Sequence, residues 1–528
     1  MFGLWPKSRP VEEAQPEQPG TSKSAKQAVK VENKPPETPN AEGSRSAWKL
    51  KTSAETPDPE EEYSMYRVNN AGLYKATFFS NIGSFLFGIA MGWSAGAEQS
   101  VMHKRSYGYT PSGLEWNYVC ILLTLGAMFW CLPTGFLLRW CGCKRTILAQ
   151  LLPNTLGWCL TAWGQDINML YAGRFILGMC GGAHCVAVPI YSAEISSVRK
   201  RGIMGVCFYG ACIVGVFYSF LISSFLEIRK VNLINLILVL LGLLQFLMPE
   251  TPAYYVKRRK LDRAENSLRL LRGKHYNVNN EMARLTRDPT MSEHDQHQHP
   301  RQGFKYQEVR RSLARVLVLA VFHKLCGSYV FIFYSYELVR CLTLPHPLAA
   351  GLGVPALVGF LVCMCLVERM GRKHLLIVCS AIMFFATVVI GIGFKLFLEN
   401  GGDILPWVTF ICMPVFVGAY TAGLGTLTWL LTVELLVPPM RPLGCSIAAT
   451  VNWLCASLAI FWYSSLKLVC QPYLFLVFAI IAVITLLFSL AFIPETRGMS
   501  SRKIQHRLGK QKVITNISSS EESDAEIV

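Results

Sequence analysis

The stretch GRFILGMCGGAHCVAVPIYSAEISSVRKRG, residues 173–202, decides the fold class. Its middle is apolar and rich in small residues, and its acidic and basic residues stand only towards its ends. A bilayer core needs about 20 mostly apolar residues per helix. Comparable segments lie at about 74–94, 116–138, 146–164, 168–190, 203–224 and 230–249, then at 313–338, 348–367, 374–397, 405–432, 442–465 and 470–493. Backbone groups in lipid must be satisfied within a helix or a closed barrel, and barrel strands would alternate in polarity, as these runs do not. The reading is an all-α membrane protein with twelve transmembrane helices, arranged six plus six.

Composition agrees. Of 528 residues 52% are hydrophobic and only 16% charged, where a soluble protein carries roughly a quarter. The charges crowd into 1–75, 250–312 and 494–528. The net charge of +17 fits basic loops on one membrane face better than nucleic-acid binding, because no basic surface interleaved with aromatics lies outside the helices. Most of the 18 cysteines fall inside apolar runs, as small hydrophobes, and no spacing resembles a metal site. The initial MFGLWPKSRPVEE has no apolar core of a cleaved signal, so the first membrane helix is expected to direct insertion.

The expected organisation is a disordered tail (1–73), a six-helix bundle (74–249), a linker with short amphipathic helices at the membrane surface (250–312), a second bundle (313–493) and a tail (494–528). Arg139, Lys144, Arg145, Arg199, Lys200, Arg201, Arg369, Arg372, Lys373 and Arg441 share one side with the linker. The other side holds scattered charges such as His103, Lys104, Arg105, Asp166, Glu399 and Asp403. That bias puts both termini in the cytoplasm, where the sequon Asn516-Ile517-Ser518 is discounted. The tract HDQHQHP (294–300) reads as a solvated loop before it reads as a chelator, and SSSEESDAE (518–526) as a phosphate acceptor or an ordinary tail.

The halves repeat each other. Gly142-Cys143-Lys144-Arg145 returns as Gly371-Arg372-Lys373 at an offset of 229 residues, Pro249-Glu250-Thr251 as Pro494-Glu495-Thr496 at 245, and Glu194 as Glu434 at 240. Three recurrences in register mark a duplicated transporter unit.

With VERMGRK (367–373), PETPAYY (249–255), TWLLTVELLVPPMRPLG (428–444) and PETRG (494–498), the opening stretch resembles the sugar-porter branch of the major facilitator superfamily over residues 75–500. This branch includes facilitative glucose and insect trehalose transporters, and the short loop after GWSAG (92–96) is more like the latter. The resemblance implies the major facilitator fold and alternating access without a cofactor, in a carrier that is not an enzyme. The expected partners are lipid and a small polar solute, a sugar or an organic anion. It also implies a plasma-membrane protein acting as a monomer. No GxxxxGK[ST] loop is present for ATP, so facilitated diffusion is the simplest mode. A non-transporting sensor on the same scaffold is the alternative.

Arg174, Glu194, Arg201, Glu368, Arg369, Arg372, Glu434 and Arg441 are the expected inner-gate charges, able to form bidentate pairs between the bundles; the plainer reading is interfacial charge. The family holds sugar hydroxyls with amide and indole groups. Trp429 and Asn452 match that pattern, beside Trp453. Other positions depart: Tyr209 replaces a Gln, and His323-Lys324-Leu325-Cys326-Gly327-Ser328-Tyr329 replaces a motif like Gln-Gln-Leu-Ser-Gly-x-Asn. The candidate substrate site is therefore Tyr209, His323, Lys324, Tyr329, Trp429 and Asn452. Lys324 either attracts an anionic group or stands neutral or paired in a protein whose transport has drifted. Ala90 stands where proton-coupled members place an Asp, and Arg139 and Cys143 depart from the first gate motif.

Overall fold

Among the described residues of the computed structural model, ten helices are long and apolar enough to cross a bilayer: Ala71–Glu98, Gly113–Cys141, Ile167–Ile195, Arg201–Phe225, Ile228–Leu247, Pro347–Leu366, Arg372–Asn400, Ile404–Leu435, Pro438–Leu466 and Pro472–Phe492. The structure describes residues 68–102, 107–287, 307–345, 347–499, 501, 503, 504, 507 and 508; no strand occurs among them. The tail 1–67, the tract 294–300, the segment 518–526, the sequon and residues 103–105 lie outside the described residues.

The two expected segments that are absent from these ten spans are helical but broken into shorter pieces. The third divides into Cys143–Leu148 and Leu151–Ala162. The seventh runs Gln307–Leu325, Ser328–Phe333 and Ser335–Cys341, and breaks at Gly327, whose φ of 88° only glycine adopts without strain. The eleventh and twelfth are joined in one hydrogen-bonded helix, Arg441–Phe492, with Pro472 inside.

Within the first half the second span packs on the fourth so closely that a Cβ at Gly178 would meet the Leu123 carbonyl oxygen at 2.0 Å. The halves meet at both ends and the middle. Gly135 lies against Ser446, Ser457 donates to Thr124 at 2.8 Å, and the Tyr334 hydroxyl donates to Asn117 at 2.9 Å. Tyr336 and Ser224 hydroxyls pair at 3.3 Å.

The linker folds as Pro252–Lys257, Leu261–Arg272 and Asn279–Arg287. Part of its apolar side is turned onto the protein. Leu268 and Leu271 are buried while Leu261 is exposed. Ser267 donates to the Glu250 carbonyl at 2.6 Å, and Arg272 donates to the Ile195 carbonyl at 2.8 Å while pairing with Glu281 at 3.0 Å. The Ile195 carbonyl ends its helix without an intrahelical partner and so needs such a donor, which favours the docking.

Candidate functional site

The end of the molecule carrying the basic loops holds the same device twice. In the first half Glu250 accepts the backbone N–H groups of Cys143 (3.0 Å), Lys144 (3.1 Å) and Thr251 (3.0 Å). In the second, Glu495 accepts those of Arg372 (3.0 Å), Lys373 (3.0 Å) and Thr496 (2.9 Å). Each carboxylate thereby caps a helix N-terminus that lacks intrahelical partners. Gly142 (φ 86°) and Gly371 (φ 88°) make the approach possible, since a Cβ would sit 2.5 Å from Glu250 Oε2 and 2.4 Å from Glu495 Oε2. Lys144 Nζ and Lys373 Nζ then reach the carbonyls of Phe246 (2.8 Å) and Leu490 (2.7 Å). Burial pushes the Glu250 carboxyl up from its ordinary value, against the pull of the N–H groups it accepts.

The ion pairs are not duplicated. Arg372, buried, bonds Glu368 at 3.2 Å and Glu434 at 3.3 Å, and Glu434 accepts from Thr496 at 2.6 Å. In the first half the corresponding residues are Arg139 and Cys143, so Glu194 has no such arginine. Its electrostatic partners are Arg441, from the other half, and Lys257, with Thr251 as its hydrogen-bond partner. Arg201 faces Glu434 across the same boundary. The neighbouring Gly202 lies against the Glu368–Arg372 pair, where a Cβ would fall 2.0 Å from Glu368 Oε1. Glu194, Arg201, Glu368, Arg372, Glu434 and Arg441 are thus gathered at one boundary between the halves.

Two expected gate residues are not. Arg174 lies twenty residues before Glu194 on one continuous helix, about 30 Å along its axis. It is buried near the opposite end, donating to the carbonyls of Ala90 (2.6 Å) and Val119 (3.3 Å) and to Ser94 (2.5 Å), with Trp93 at 5.0 Å. Arg369 is exposed, and its part is played by the backbone: its carbonyl accepts from Arg497 at 2.6 Å.

Between these ends the six candidate substrate residues are all buried and lie close together. The His323 ring stacks on Tyr420 (5.6 Å) and takes Trp429 (5.8 Å) and Tyr209 (6.1 Å) at its edges. Its ring nitrogens pair with the Tyr420 hydroxyl (2.9 Å) and the Asn452 amide (2.7 Å). Lys324 Nζ lies 3.7 Å from the Tyr329 ring centre and 4.8 Å from that of Trp453, a cation–π cage. An adjoining cavity of about 20 Å³, lined by Tyr209, Ser328, Phe331 and Tyr420 among others, has room for about one water.

Tyr420 is a site residue that no sequence motif marked. Tyr420 and Trp429 are nine residues apart, so at about 100° per residue a regular helix would put them on opposite faces. The wider π-turn Thr421–Gly425 between them absorbs an extra residue and lets both reach His323. Glu250, Glu495, Thr251 and Thr496 were visible as repeats, but not as caps and acceptors. Among the described residues no group of three or more His, Cys, Asp or Glu is placed to hold a metal ion.

The family described as "Sugar (and other) transporter" matches residues 76–508. Glucose transporter type 3 of Drosophila melanogaster is 54% identical over 93% of this chain and 98% of its own length. A facilitated trehalose transporter of Bombyx mori is 30% identical over 85% of this chain and 89% of its own. The major facilitator proton:xylose symporter with 6-bromo-6-deoxy-D-glucose bound superposes with a TM-score of 0.72 at 18% identity, over 83% of this chain and all of that one. The inward-open xylose transporter of E. coli gives 0.63 at 17%, over 82% and 99%. The chain belongs to the sugar (and other) transporter family: it is a membrane sugar carrier of the major facilitator fold, and not an enzyme.

Proposed function

We propose that the chain carries its sugar by facilitated diffusion, through a site made by Tyr209, His323, Lys324, Tyr329, Trp429 and Asn452. The carrying observation is their position: a buried polar cluster between two halves that touch each other at both ends. Rocking one half against the other would open the cluster to each side in turn. Glu194, Arg201, Glu368, Arg372, Glu434 and Arg441 hold the basic end shut until the halves part. The two bundles correspond to residues 74–249 and 313–493, and the linker moves with the first, to which it is hydrogen-bonded. The positive loops orient that end and both termini to the cytoplasm. The protein works as a monomer in the plasma membrane, with lipid around its exposed apolar belt.

Support comes from the relatives, which are named as glucose and trehalose transporters. With Ala90 at this position, the hydrogen-bond partners of Arg174 are the Ala90 and Val119 carbonyls and the Ser94 hydroxyl, none of them acidic, which fits a carrier without the acidic group of proton-coupled relatives. The test is counterflow: proteoliposomes loaded with unlabelled sugar should transiently accumulate labelled sugar from a panel of neutral and acidic monosaccharides. Binding without exchange across the whole panel would instead establish a sensor.

A further inference from the structure

Three observations at the central cluster bear on which sugar it takes. Lys324 is fully buried and its ammonium has no hydrogen-bond partner among the described residues. The faces of Tyr329 and Trp453 favour a cation but accept none of its three N–H donors in ordinary hydrogen bonds. The titratable groups that face it are His323, Tyr329 and the thiols of Cys185, Cys212, Cys326 and Cys455; no carboxylate is among them. Further buried polar atoms of the cluster stand unpartnered among the described residues: the donors Nε1 of Trp429 and Trp453, the acceptor Oδ1 of Asn452 and the hydroxyl of Tyr209. The cluster therefore offers donors and acceptors suited to hydroxyls, beside an ammonium that lacks an acceptor.

We propose that the solute is an acidic monosaccharide, a hexuronate or aldonate, whose carboxylate pairs with Lys324 while its hydroxyls engage Trp429 and Asn452. The inference rests on the reading of this cluster as the sugar site. A neutral hexose would leave the buried ammonium with hydroxyl acceptors alone, whereas a carboxylate gives a charge-assisted bond and cancels the charge during occlusion. A hydrogen bond between charged groups distinguishes the two solutes by about tenfold or more.

The test uses the full chain in proteoliposomes at neutral pH with labelled D-glucuronate and D-glucose, and tryptophan fluorescence titration with each as an independent readout of binding. Wild type should exchange glucuronate about tenfold better than glucose. Lys324→Gln should lose that preference and Lys324→Arg retain it; Lys324→Met serves as the neutral variant if the glutamine form does not fold. Exchange of glucose but not glucuronate overturns the proposal and leaves the sugar-carrier reading standing. A preference unchanged in both neutral variants also overturns it. Exchange and binding of neither sugar overturns both readings.

Discussion

The two halves fold the same loop at the basic end but arm it differently. Gly142 with Glu250 and Gly371 with Glu495 build one cap twice, down to the lysine that reaches a carbonyl beyond it. In the second half the next residue is Arg372, which ties Glu368 and Glu434 together. In the first it is Cys143, with Arg139 in place of the glutamate, and Glu194 looks to Arg441 across the boundary. The cap is thus the structural constant, needed because any helix start at that position leaves N–H groups unpaired. The ion pair is the adjustable part. The second half pairs its glutamate with an arginine of its own, whereas the arginine nearest the first half's glutamate comes from the other half.

The largest effect is expected where that internal pairing is broken. Glu434→Gln leaves Arg372 buried with a reduced counter-charge and should destabilise by about 3–5 kcal/mol, read as a lowered melting temperature in detergent. Glu194→Gln, whose charged partners lie in the other half and in the linker, should cost less stability and act mainly on transport rate; equal losses would erase the asymmetry.

Next come the glycines. Gly142→Ala and Gly371→Ala each force a side chain into a backbone region that glycine alone fills easily and against a carboxylate, at about 1–3 kcal/mol apiece. Near-equal values would confirm that the cap is shared.

Removing the carboxylates, by Glu250→Ala or Glu495→Ala, should cost about 1–2 kcal/mol of capping energy. Glu250 adds a pH signature. Its carboxyl is raised in the folded state, so the side chain's contribution is fully present below the ordinary carboxylate range and falls as pH rises through the raised value. The gap in melting temperature between wild type and Glu250→Ala should narrow in that direction.

The smallest effect is a repair. The double change Arg139→Glu with Cys143→Arg copies the second half's pair into the first; with position 139 half-buried and position 143 buried, the desolvation of the new pair offsets much of its attraction and the gain should be at most about 1 kcal/mol. If Glu194 then pairs within its own half, the boundary loosens and exchange speeds up; unchanged exchange would show that Arg441 still holds it.

Helices and their order were legible because lipid enforces apolar length, and duplication was legible because three motifs recur in register. Ten spans stand where hydropathy places them, and the third and seventh are broken for local reasons, at Ala149–Gln150 and at Gly327. Arg174 shows the limit. Its place in a family motif suggested a gate, but a continuous helix sets it about 30 Å from the residues it was grouped with. Arg369 looked equivalent to Arg372 in the sequence, yet one guanidinium is exposed and the other buried, a matter of helix phase at a turn.

By itself the sequence determined an all-helical membrane chain and its repeat, and it pointed to six of the residues that meet in the central cluster. Only the tertiary structure decided which groups meet. It closed Lys324 between two rings, and it used a π-turn to bring Tyr420 and Trp429 to one histidine. It also turned the linker onto the first half. The physical reason is that apolar length is a property of a segment, whereas a buried polar group is defined by partners far along the chain, as Asn452 and His323 are.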